Sequence, residues 1–196
     1  YFLQLCMEAS MFGFAATYMS HPDHTILEIN PKANSLKVED YLLYHYYAGI
    51  IYTALKKYSM AMECFENAIT VPSEIVSSIS FEAVKKAHLV NLLWKNRTYD
   101  LPSYTSSAVS RKCKDNLTLY LTITNLVKSD NVQGLQDLID ESKKELEEDG
   151  NLGLVRSIQQ SIVTKKLKEL TSSYITLSLT DLTTKAGLAN PSEAEI

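Results

Sequence analysis

Gly49-Ile50-Ile51-Tyr52-Thr53-Ala54-Leu55-Lys56-Lys57-Tyr58-Ser59-Met60-Ala61-Met62-Glu63-Cys64-Phe65-Glu66-Asn67-Ala68-Ile69-Thr70-Val71-Pro72 decides the fold. Its apolar residues recur at helical steps on both sides of Lys56-Lys57, so the stretch reads as the end of one helix and the whole of the next. Gly49, Ala61 and Ala68 are small, and Tyr52 and Phe65 are large and flat. Small residues let two helix axes approach, and rings fill the space beside them. Pro72 cannot continue a helix and marks the stop. Gly49, Tyr52, Ala61, Phe65 and Ala68 are therefore the expected packing positions of one helical hairpin.

The same five residues stand in the register of the tetratricopeptide consensus, with Pro72 one residue ahead of the consensus proline. A shift by the 34-residue period finds only Ala83 at the glycine place and Lys86 at the tyrosine place. Further repeats are expected to be degenerate.

Toward the N-terminus, a tyrosine-rich helix is predicted over 38–55, with Leu43, Tyr47, Ile50 and Ala54 on one stripe. Residues 20–37, with Pro22 and Pro31, read as irregular, and 2–19 as a single apolar helix. Toward the C-terminus a helix is predicted over 74–95. Val76, Ile79, Ala83, Ala87, Val90 and Trp94 line one side of it, and Phe81, Val84, His88 and Leu92 a second. A helix apolar on two sides has to be covered on both, as in stacked helical repeats. Shorter helices follow near 102–113 and 116–128. One over 132–148 carries Leu135, Leu138, Ile139 and Leu146, with Gly150 placed as its cap. The last, 152–172, aligns Val155, Ile158, Ile162, Val163, Leu167 and Leu170, with Arg156, Lys165, Lys166 and Lys168 off that stripe. The expected architecture is all-α, with a tetratricopeptide-like helical-repeat solenoid over 1–172.

Residues 173–196 differ. Tyr174-Ile175-Thr176-Leu177 is β-prone, and Ser178-Leu179-Thr180-Asp181 has the makings of a helix N-terminal cap. A second cap, Asn190-Pro191, follows Gly187. Strand, helix, turn, helix is the first half of a winged helix, truncated at Ile196. Leu177, Leu179, Leu182 and Leu188 are its expected core. Thr176, Thr180, Pro191 and Glu193 are the candidates for subunit contact, because a strand needs a ladder and its edge can pair outward.

Composition narrows the function. Hydrophobic residues are 45% and charged residues 21%, which suits a folded chain, and 6 Gly and 5 Pro suit long helices. The net charge of -4 offers nucleic acid no general attraction. The groove-facing element of the winged helix would carry Glu193 and Glu195 and no Lys or Arg, so DNA reading is not expected. No apolar run suggests a membrane span. Cys6, Cys64 and Cys113 lack metal or redox spacing and read as small buried hydrophobes. His21 and His24 form a lone H-x-x-H without further ligands, too little for zinc. Two glycosylation sequons, at Asn96 and Asn116, fall beside or in stretches read as helical and are taken as chance matches. No nucleophile elbow, phosphate loop or metalloprotease motif occurs. The expectation is no enzyme, cofactor, metal or small-molecule ligand. The opening Tyr1-Phe2-Leu3, without methionine or cap, reads as a piece of a longer protein.

Helical repeats running into a winged helix resemble the PCI family, shared by the proteasome lid, the COP9 signalosome and a translation initiation factor. Within it the chain is similar to the third-subunit branch of the signalosome. The residues that carry the likeness begin with Asp40-Tyr41-Leu42-Leu43-Tyr44, Tyr46-Tyr47, Ile51-Tyr52-Thr53 and Ala68-Ile69-Thr70. They continue with Leu101-Pro102, Tyr104-Thr105-Ser106, Gly153-Leu154-Val155, Leu177-Ser178-Leu179-Thr180-Asp181-Leu182 and Glu193-Ala194-Glu195. Agreement covers most of 38–196 and is weaker at 96–100 and 114–119. The resemblance implies a non-catalytic scaffold subunit of the complex that removes Nedd-eight from cullins, whose metalloprotease is a different chain. It implies other signalosome subunits as partners, the first and eighth as neighbours, and a location in cytoplasm and nucleus. A PCI scaffold of the proteasome lid or of a translation initiation complex is the alternative.

Overall fold

In the computed structural model every regular element among the described residues is a helix. Those residues are 1–21, 37–72 and 76–173, with side chains through 168. The helices are α1 (Phe2–Glu8), α2 (Phe12–Met19), α3 (Val38–Ala54), α4 (Tyr58–Ile69), α5 (Ser78–Lys95), α6 (Ser107–Asn116), α7 (Thr118–Lys128), α8 (Val132–Glu141), α9 (Lys143–Glu148) and α10 (Leu152–Ser173). The predicted strand 174–177 and the winged-helix residues Thr176, Leu177, Leu179, Thr180, Leu182, Leu188, Pro191 and Glu193 lie outside the described residues. So do Pro22, His24 and Pro31.

Four of the helix-to-helix links share one construction. Ser10, Lys56, Asp130 and Gly150 all have positive φ, at 56°, 58°, 50° and 62°. Each donates its N–H to the carbonyl three residues back: Met7, Thr53, Val127 and Glu147, at 2.9–3.1 Å. The following N–H reaches five residues back, to Cys6, Tyr52, Leu126 and Leu146, at 2.8–3.0 Å. This left-handed turn satisfies carbonyls that a helix end leaves open and reverses the chain within three residues. Ser10 explains why 2–19 is two helices and not the single one expected. A left-handed residue ends the α-helical ladder whatever the hydrophobicity around it.

The chain divides into two compact units, one of residues 1–94 with 98–118 and one of 95–97 with 119 onward. In the first, α3 begins at a reciprocal cap where the Lys37 N–H donates to Asp40 Oδ2 at 3.0 Å. Glu39 and Asp40 put negative charge at the positive helix start. The α3 line sunk in the core is Leu42, His45, Ala48, Gly49, Ile51 and Tyr52. Leu43, Tyr47 and Ile50, aligned in the sequence, are half-buried, and Ala54 is exposed. The α3 face toward α4 combines the small Gly49 with the ring of Tyr46, and the small residue lets the axes approach. α4 answers with Ala61, Met62, Phe65, Ala68 and Ile69.

α5 is buried nearly all round, from Ser80 to Leu92. Its Ala83, Val84, Ala87, Leu89 and Val90 are wholly buried, and a buried Val or Leu contributes about 1.5–3 kcal/mol. The helix starts at Ser78, four residues later than predicted, with the Ser77 hydroxyl accepting from the Ile79 N–H at 3.3 Å. It is tied to α4 by the Ser80 hydroxyl, which donates to the Ala68 carbonyl at 3.0 Å. Lys86 lies over the Tyr46 ring of α3 at 5.9 Å. Lys85 and, from α6, Lys112 lie on the Phe81 ring at 5.0 and 4.9 Å. α6 starts at Ser107 rather than 102, since a turn closed by the Thr105 N–H on the Pro102 carbonyl precedes its cap, Ser106.

The second unit packs α8 against α9 and α10, and α9 against α10. Its core is Tyr120, Ile123, Val127, Leu135, Ile139, Leu146, Val155, Ile158 and Ile162. Ser142 divides the predicted 132–148 helix into α8 and α9. The ladder still passes through it, Ser142 N–H to Leu138 at 2.9 Å and Leu146 N–H to Ser142 at 3.0 Å, so it is a kink, not a stop. Inside, the Tyr120 hydroxyl donates to Asp149 at 2.5 Å and accepts from the Asn151 amide at 2.7 Å.

Candidate functional site

The residues predicted to pack the hairpin lie in α3 and α4 of the first unit, all of them buried. Gly49 faces the Phe65 ring so closely that a Cβ at 49 would lie 2.5 Å from Phe65 Cε1 and 2.8 Å from Cδ1. Ala61, Phe65 and Ala68 have no exposed surface, and Tyr52 almost none. The Tyr46 ring stands edge-on to Phe65, 6.4 Å away.

A second feature lies between the α1–α2 hairpin and α3. An open groove of about 370 Å³ is lined by Tyr1, Phe2, Tyr18, Tyr44 and Tyr47, with Asp40 at its charged edge. Phe2 packs on Tyr18 at 4.4 Å and on Phe14 at 6.1 Å. Phe2, Leu5, Met11, Phe14 and Tyr18 are all substantially exposed. Sequence reading missed the exposed face, and the α1–α2 wall of the groove, because it took 2–19 as one helix. The hairpin break at Ser10 is what brings Phe2 beside Phe14 and Tyr18.

Burial favours the uncharged forms of two histidines and two cysteines. Burial lowers the His45 pKa to about 4. His88 is lowered to about 4 by burial, against the opposing pull of Asp100. The Cys64 thiol is pushed up to about 12, first by burial and then by Glu63. Burial likewise raises Cys113 to about 11, with Lys112 acting the other way. Two neutral imidazoles and two protonated thiols supply neither a proton donor nor a thiolate near neutral pH. Among the described residues no group of three or more His, Cys, Asp or Glu could hold a metal ion. No described helix is long and apolar enough to cross a membrane. His21 lies at the end of α2, and its predicted companion His24 is outside the described residues.

Fold and surfaces define a helical-repeat protein whose distinctive side chains serve packing. Residues 1–109 match the family model described as COP9 signalosome complex subunit 3, N-terminal helical repeats. The chain belongs to that family. COP9 signalosome complex subunit 3 of Dictyostelium discoideum is 32% identical over 187 residues, 95% of this chain and 44% of the relative. The protein of that name from Arabidopsis thaliana is 34% identical over 195 residues, 99% of this chain and 43% of the relative. The chain thus spans less than half the length of these curated relatives.

Proposed function

We propose that the full protein is a non-catalytic scaffold subunit of the COP9 signalosome. The observation that carries this reading is the 32–34% identity with subunit 3 of two organisms along almost the whole chain. Support also comes from the site, where Gly49 lies against the Phe65 ring and Tyr52, Ala61 and Ala68 are buried in the first unit. Its partners are the other signalosome subunits, with the first and eighth as neighbours, in cytoplasm and nucleus. Its contribution to removing Nedd-eight from cullins is to hold the assembly together.

The proposed division places the repeats in 1–172 and the start of a winged helix in 173–196. In that module Leu177, Leu179, Leu182 and Leu188 form the core, and Thr176, Thr180, Pro191 and Glu193 face a partner. Affinity purification of the tagged full-length protein with mass spectrometry tests the reading. Signalosome subunits are expected in near-equal amounts, and recovery of proteasome-lid subunits instead would overturn it. Glu193→Lys should leave thermal unfolding unchanged and reduce co-purification, whereas Leu182→Asp should unfold the module. Intact co-purification of Glu193→Lys and of similar reversals across 174–196 would remove the winged helix as the joint.

A further inference from the structure

We draw no further inference here: the strongest candidate, the aromatic groove of about 370 Å³ between the α1–α2 hairpin and α3, has the first four residues of the chain in its wall, and nothing in the structure shows what covers it.

Discussion

Position 49 has a hydrogen where any other residue would put a carbon, and the neighbour that profits is Phe65. Alanine there would gain about 1 kcal/mol of helix propensity. It would also press a methyl into a ring with no exposed surface, and overpacking a core costs about 1–3 kcal/mol. The clash should win, so Gly49→Ala is expected to lower the urea midpoint, and Phe65→Leu in the same chain should lessen the effect of the alanine. A raised midpoint for the single variant would mean that the ring turns aside freely. Lys56 presents the opposite case. It holds a left-handed backbone, φ 58°, with an exposed side chain. That conformation costs an L-residue about 1–2 kcal/mol, and the larger entropy of unfolded glycine returns roughly 0.5–1 of it. Lys56→Gly should therefore stabilise by about 0.5–1 kcal/mol, read as a higher thermal midpoint. A lower midpoint would show that the lysine side chain matters more than the backbone.

Between elements, the buried knot of Tyr120, Asp149 and Asn151 joins the start of α7 to the turn between α9 and α10. Asn151 is fully buried, and Tyr120 is 1% exposed. Tyr120→Phe keeps the ring and deletes both hydrogen bonds, one of them to a carboxylate. Such a loss costs about 1.5–3 kcal/mol, so a drop in unfolding free energy of that size is expected from chemical denaturation. A drop below about 0.5 kcal/mol would mean that the bonds are replaced by others on unfolding or repacking. Gly150 was legible as a cap, since a cap follows local rules. Tyr120 was not, because its partners lie 29 and 31 residues away. Periodicity also overran real breaks. Ser10 and Ser142 interrupt or bend predicted helices without a proline, and around Ser10 the sequence is largely apolar, with Gly13 the nearest helix-weakening residue.

For the first unit as a whole, the acid limb of stability rests on His45 and His88. Both have folded pKa values near 4, below the ordinary 6.5. The unfolded chain therefore binds protons that the folded one refuses. Stability should be complete above about pH 6.5 and fall as pH drops from there toward 4. Thermal midpoints followed from neutral to acid pH should decline over that window. The decline should be smaller in a His45→Leu/His88→Leu variant. Equal declines in both proteins would assign the acid sensitivity to other groups.

By itself the sequence determined the helical class, the burial of Gly49, Tyr52, Ala61, Phe65 and Ala68, the need to cover α5 on several sides, and the likeness to subunit 3 of the COP9 signalosome. These follow from residue type and spacing, which act over a few turns of chain. Tertiary structure alone decided which stripe of α3 turns inward, where 2–19 folds back, and that the rings of Phe2, Tyr18, Tyr44 and Tyr47, from three helices, border one groove with Tyr1. It also decided that His45 and His88 lose their charge. Each of those outcomes depends on a neighbour far along the chain, through close approach or exclusion of water, and neither is written in local spacing.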